Sequence, residues 1–218
     1  MLRFAPSPNG WLHLGHAYSA LFAFETAKRI GGRFLLRIED IDKGRCRPEY
    51  EEAIYEDLAW LGLEWEEPVR RQSEHFADYE RGLKHLREMG LVYPCFATRK
   101  EIQDAIVASG IPLQNWPTDP DGAPLYPGIC KDMPKERLNE LMWEGRTYAW
   151  RLDTEKAKHE AERINGGPIT FNEEGESARG DHGRLAIEPE LFGDVVIARK
   201  DVPTSYHLAV TMDDALQG

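Results

Sequence analysis

The 218-residue sequence predicts an α/β fold, a doubly wound parallel sheet carrying a small α+β insert. Three observations carry that expectation. Up to residue 94, short apolar runs alternate with stretches of helical apolar spacing, most of them closed by glycine. A proline-rich, irregular stretch begins at Cys95. A strongly apolar run, Val195-Val196-Ile197-Ala198, follows it.

Leu2 to Ala5 is a short apolar run closed by Pro6-Ser7-Pro8-Asn9-Gly10, which reads as a buried strand entering a turn-rich loop. From Gly15 to Ile30, Leu21, Phe24, Ala27 and Ile30 recur at helical spacing, and Gly31-Gly32 is a stop. Arg33 to Ile38 predicts a second strand, followed by the acidic turn Glu39-Asp40-Ile41-Asp42. Pro48 opens a helix reaching Leu61, with Ala53, Ile54, Asp57, Leu58 and Leu61 inward and Gly62 ending it. A further helix spans Glu74 to Met89, and Val92-Tyr93-Pro94 follows Gly90. Beyond Cys95 come Pro112, Pro117, Pro120, Pro124, Pro127 and Pro134. Among them lie short helices (Pro134 to Glu144, Glu155 to Ile164) and strands (Thr147 to Leu152, Ile169 to Phe171). Residues 1–94 are therefore read as the first half of the main domain, 95–189 as the insert and 190–218 as the start of the second half. The chain stops at Asp213-Asp214-Ala215-Leu216-Gln217-Gly218 without cap or charged terminus, which reads as an interruption of a longer sequence.

With 41% hydrophobic and 30% charged residues, the composition is that of a globular chain able to bury one substantial core. No apolar run approaches the ~20 residues that span a bilayer. Met1-Leu2-Arg3-Phe4-Ala5-Pro6 has no leader pattern, so the expectation is a cytoplasmic monomer without a membrane partner. Cys46, Cys95 and Cys130 do not make a disulfide framework. The net charge of −11 weighs against a nucleic-acid partner, but Lys28, Arg29, Arg33, Lys43, Arg45 and Arg47 cluster early, and Arg99 and Lys100 follow Cys95. A local basic face on an acidic protein can still hold RNA.

The strongest chemical signal is His13-Leu14-Gly15-His16, reached directly from the first strand and its loop. A helix start at the carboxyl end of a strand points unpaired N–H groups and the helix dipole at anions. Gly15 removes a side chain where a nucleotide would approach. Two histidines three apart can both donate to phosphate oxygens as charge moves onto the leaving group. The residues alone leave plainer alternatives open. The histidines could be polar residues at a helix start, Arg3 and Glu39 could pair with each other, and Tyr206 could pack under the sheet.

This stretch resembles the signature of the class I aminoacyl-tRNA synthetases, and its context resembles the glutamyl branch. Arg3-Phe4-Ala5-Pro6-Ser7-Pro8 precedes it, Leu36-Arg37-Ile38-Glu39-Asp40 follows the second strand, and Leu61-Gly62-Leu63-Glu64-Trp65 and Gln72-Ser73-Glu74 come next in family order. Pro203-Thr204-Ser205-Tyr206-His207-Leu208-Ala209 and Asp213-Asp214 match further on, so the resemblance covers almost the whole chain. It implies a Rossmann-type catalytic domain that activates L-glutamate with ATP and Mg²⁺ and passes it to tRNA. His13, Gly15 and His16 would bind ATP, with both histidines catalytic. Arg3, Ala5, Ser7, Glu39 and Tyr206 would bind glutamate. Arg3 and Tyr206 would meet its side-chain carboxylate and Glu39 its ammonium group. The family's lysine-serine loop, which closes over the phosphates, is not found within these residues.

Relatives open the insert with Cys-x-Cys and later supply Tyr-x-x-x-Cys, which together bind a structural zinc. Here the matching positions are Cys95, Tyr126 and Cys130, with Ala97 where a thiolate would stand, so the ligand count argues against a closed zinc site. Two branches of the family share this domain. One charges the 3′ end of tRNA(Glu); the other, shorter, places glutamate on the queuosine base of tRNA(Asp). Tyr126-Pro127-Gly128-Ile129-Cys130, Val196-Ile197-Ala198-Arg199-Lys200-Asp201 and Ala209-Val210-Thr211-Met212-Asp213-Asp214-Ala215-Leu216-Gln217-Gly218 look more like the second. The basic residues Arg99, Lys100, Lys131 and Lys135 are expected to track an RNA backbone. A binding-only relative or another nucleotidyltransferase fits less well. A binding module has no use for two histidines, and another nucleotidyltransferase would not carry Glu39, Tyr206 and the long insert together.

Overall fold

The computed structural model describes residues 1–175, 180, 182–199, 202 and 204–218. Lys200, Asp201 and Pro203, which belong to the quoted family stretches, lie outside them. The chain forms two compact units, 1–82 with 204–218, and 83–203.

The first unit is built on β1 (Leu2–Phe4), α1 (Leu14–Arg29), β2 (Phe34–Ile38), α2 (Pro48–Trp60), β3 (Glu66–Arg71) and the start of α3 (Phe76–Glu88). The three strands make a parallel sheet in the order β1-β2-β3, with Arg3 beside Leu35 and Arg37 beside Arg70. All five residues of β2 are buried, as a central parallel strand covered on both faces requires. Phe34, Leu36 and Ile38 alternate onto the face that forms the main core with Phe4, Ile54, Leu58 and Leu63. α1 buries Ala20, Ala23 and Ala27, small residues that let the helix lie close to the sheet. Ile30, expected on that inner face, caps the helix and is exposed. Leu35 and Arg37 therefore point to the opposite face.

The polar edge strand β3 carries no apolar pattern that would mark it in the sequence. Its residues, Glu66-Glu67-Pro68-Val69-Arg70-Arg71, carry charges and a proline, which sheet edges tolerate and central strands do not.

The second unit contains β4 (Val92–Cys95), α4 (Arg99–Ala108), α5 (Lys135–Trp143), β5 (Ala149–Leu152), α6 (Thr154–Asn165), the hairpin β6 (Thr170–Glu173) and β7 (Gly183–Ala186), and β8 (Val196–Arg199). Its main sheet is antiparallel, in the order β4-β5-β8. Two stretches assigned by sequence to the main domain lie here instead. Val92-Tyr93-Pro94 is in β4, and the apolar run 195–198 enters β8, pairing Ala149 with Arg199 and Trp150 with Ala198. Apolarity announces a buried strand without saying which sheet buries it. α4 is capped by Thr98 and Glu101 in a reciprocal box, and α6 by Asp153.

The chain re-enters the first unit at Thr204 and forms α7 (Tyr206–Gln217), a helix beyond those expected from the sequence. Among the described residues, no helix is long and apolar enough to cross a membrane.

Candidate active site

The loops that leave β1 and β2 emerge from the carboxyl ends of parallel strands, where α/β sheets bind ligands. They are stitched together: the Glu39 N–H donates to the Pro6 carbonyl at 2.9 Å and the Arg47 N–H to the Pro8 carbonyl at 3.0 Å. α1 then begins with a capping box made of two imidazoles in place of the usual hydroxyl and carboxylate. His13 Nδ1 accepts from the Gly15 N–H at 3.1 Å, and His16 Nδ1 accepts from the His13 N–H at 3.2 Å. The ring centroids are 3.9 Å apart. Because each ring accepts at Nδ1, each carries its proton on Nε2, and that N–H remains available as a donor. Partial burial, and next the neighbouring His13, lower the His16 pKa and favour the neutral ring. A Cβ at position 15 would lie 3.0 Å from His13 Cε1, so Gly15 makes room for the His13 ring itself.

Arg3 and Glu39 do not pair with each other. Arg3 Nη1 donates to Asp214 Oδ1 at 2.8 Å, and the buried Arg37 donates to Glu39 Oε1 at 3.0 Å and to Asp214 Oδ1 at 2.7 Å. Burial pushes the Glu39 carboxyl above its ordinary range, while Arg37 pulls it down. For Arg37, burial opposes the charge, and its bonds to Asp214 and Glu39 more than offset this. Beside them, the fully buried Asp213 accepts from Arg70 Nε at 2.7 Å, Gln72 Nε2 at 3.0 Å and the Tyr79 hydroxyl at 2.9 Å. Asp213 thus ties α7 to β3 and α3. Asp40 anchors the next turn, accepting from the Ser73 N–H at 2.7 Å and the Ser73 hydroxyl at 2.5 Å.

The remaining expected residues are spread around this frame. Ala5 is half-buried at the exit of β1. Ser7 Oγ lies 3.7 Å from Cys46 Sγ. Tyr206 opens α7 and is 55% exposed, so it does not pack under the sheet. The network of Arg37, Asp213 and Asp214 was not picked out from the sequence. A lone arginine inside the apolar run Phe34-Leu35-Leu36-Arg37-Ile38 was the available signal, since a charge in a buried strand demands partners.

The model for "tRNA synthetases class I (E and Q), catalytic domain" matches residues 1–218. The chain belongs to that family. It is 44% identical to a glutamyl-Q tRNA(Asp) synthetase of Rhodobacter capsulatus, over 99% of this chain and 73% of that protein. It is 36% identical to a glutamate–tRNA ligase of Aquifex aeolicus, over 99% of this chain and 41% of that one. The crystal structure of a glutamate tRNA ligase from Elizabethkingia meningosepticum in complex with its amino acid superposes with a TM-score of 0.69 at 28% identity, over 98% of this chain and 41% of that one. The chain thus spans from two fifths to three quarters of the length of these relatives.

For a family member, the second unit departs from the zinc pattern in a physically definite way. Cys95, Tyr126 and Cys130 do come together: the Tyr126 hydroxyl lies 3.3 Å from Cys95 Sγ and accepts from the Cys130 N–H at 2.9 Å. The two thiols also hydrogen bond each other, which lowers the Cys95 pKa and raises that of Cys130. Ala97 offers no donor side chain, and the Arg151 guanidinium sits 3.7 Å from the Tyr126 ring centroid, a cation already placed against the cluster. Among the described residues, no group of three or more His, Cys, Asp or Glu could hold a metal ion. Two thiols and a phenol do not fit a closed four-ligand zinc site. The purified protein is therefore expected to carry well under one zinc per chain by metal analysis; one tightly held zinc per chain would contradict this.

The basic residues also sort differently from the expectation. Lys131 is tied to Asp153 at 2.9 Å and Asp194 at 3.3 Å, an internal ion pair and not an RNA-facing charge. Arg33 is held by Glu66, and Arg45 by Asp42. Arg99, Lys100 and Lys135 are exposed.

Proposed function

We propose that this domain activates L-glutamate with ATP to glutamyl-adenylate and transfers it to tRNA, with the queuosine base of tRNA(Asp) as acceptor. The observation that carries the activation step is the histidine capping box, which leaves two Nε2 donors at a helix N-terminus on the ligand-binding edge of the sheet. In the reaction, a glutamate α-carboxylate oxygen attacks the α-phosphorus of ATP, and the bond to the bridging oxygen breaks to release pyrophosphate. No enzyme nucleophile is needed. His13 and His16 donate to phosphate oxygens as negative charge grows on them, which is positioning and electrostatic work. Arg3 and Tyr206 meet the substrate side-chain carboxylate, Glu39 its ammonium group, and Ala5 and Ser7 its backbone. Mg²⁺ bound together with ATP would supply further charge neutralisation.

The acceptor reading is supported by the 44% identity to the Rhodobacter glutamyl-Q tRNA(Asp) synthetase along nearly the whole chain, against 36% for the Aquifex glutamate–tRNA ligase. Exposed Arg99, Lys100 and Lys135 are the residues we assign to the RNA backbone. Labelled glutamate should attach to tRNA(Asp) containing queuosine and not to the same tRNA lacking it. Attachment to the 3′ end of tRNA(Glu) would overturn the acceptor reading and leave the activation step standing. Binding should also weaken steeply with salt, because phosphate contacts release counterions.

A further inference from the structure

We propose that Arg37 and Asp214 are positioning residues of the glutamate site, forming one polar bridge that sets where Arg3 and Glu39 stand. This rests on the reading above that Arg3 and Glu39 grip the two ends of glutamate. From Glu39 Oε1 the bridge runs to Arg37 Nη2 at 3.0 Å, from Arg37 Nη1 to Asp214 Oδ1 at 2.7 Å, and from the same oxygen to Arg3 Nη1 at 2.8 Å. Gln217 Oε1 closes the far side, accepting from Arg37 Nη1 at 3.1 Å.

Sheet geometry explains why such a bridge is needed. Arg3 sits beside Leu35 on neighbouring parallel strands, and Leu35 and Arg37 share a face, so two guanidinium groups project side by side from one face of the sheet. Like charges this close repel unless a counter-charge stands between them. Asp214 is that counter-charge, delivered by α7. At the other end, burial works against ionisation of Glu39, and Arg37 favours the carboxylate that an ammonium group requires. Arg37 is too deeply buried to touch a ligand freely, with 1% of its surface exposed. Its action on the substrate is through Glu39 and Arg3.

The test is exchange kinetics on the full-length protein with Asp214→Ala, varying glutamate and ATP separately. Asp214 has a half-exposed side chain, so its truncation leaves the core filled. The KM for glutamate is expected to rise about tenfold, while the KM for ATP and kcat each change by less than about threefold. Asp214→Glu, which keeps a carboxylate to stand between the guanidinium groups, should recover most of the loss, and Asp214→Asn, which removes the counter-charge, should not. Arg37→Lys, which keeps the charge but cannot bridge two carboxylates, should reproduce the glutamate-specific rise. An unchanged or lowered KM for glutamate would overturn the bridge, the lowered value meaning that Asp214 competes with substrate for Arg3. An equal rise for both substrates would also overturn it, as the mark of a merely structural role. Absence of glutamate-dependent exchange in the parent protein is a separate result. It overturns the function reading, and the bridge with it.

Discussion

Replacing either His13 or His16 by alanine is expected to slow glutamate-dependent ATP–pyrophosphate exchange by about 10²–10³-fold, the cost of losing one preorganised donor to developing charge. The loss should fall on kcat more than on the KM for glutamate, because these donors act on the phosphates and not on the amino acid. Gly15→Ala provides an independent arm. It removes neither imidazole, yet its Cβ would come within 3.0 Å of His13 Cε1, so it should depress kcat by displacing that ring. The pH dependence has a definite sign. The folded-state pKa of His16 is lowered, so its contribution to folding stability is complete above the ordinary imidazole value of about 6.5 and is lost as pH falls through the lowered value. Protonation at Nδ1 would also remove the acceptor that the His13 N–H uses. Stopped-assay rates for the variants that match the parent within a few-fold would remove the histidines from the chemistry.

Asp213→Ala is expected to have the largest effect on stability, about 3–5 kcal/mol, because deleting one partner of a buried ion pair strands the other. Asp213 is fully buried and accepts from Arg70, Gln72 and Tyr79, with Arg37 Nε a further 4.0 Å away. Its loss would leave Arg70 and Gln72 without their buried acceptor and loosen α7, the helix that carries both Tyr206 and Asp214. Denaturant melts should show a lowered midpoint, and Asp213→Asn, which still accepts two bonds, should cost less. A melt for Asp213→Ala indistinguishable from that of the parent would mean that the network does not hold the helix in place.

The parts of this molecule legible in the sequence are those set by local pattern. Alternating apolar runs and glycine stops marked β1, α1, β2 and α2, and the His13-Leu14-Gly15-His16 stretch marked the helix start that became the imidazole capping box. What stayed hidden depends on distant partners. Asp214 lies 177 residues from Arg37 in sequence, with Asp213 next to it, and no local spacing links them. β8 was legible as a buried strand but not as a neighbour of β5, because apolar character carries no pairing information. Lys131 looked like any basic residue until its partners Asp153 and Asp194, from 22 residues onward, came to meet it. β3 was masked by its own charges, which its edge position makes tolerable.

Amino-acid-dependent exchange of pyrophosphate into ATP tests glutamate activation at this site most directly. Measured on the full-length protein against a panel of amino acids, with and without tRNA, exchange should appear with L-glutamate alone and should not require tRNA. Exchange that appears only after tRNA is added would favour the glutamate–tRNA ligase branch of the family. Exchange with no amino acid at all would contradict the activation of glutamate at this site.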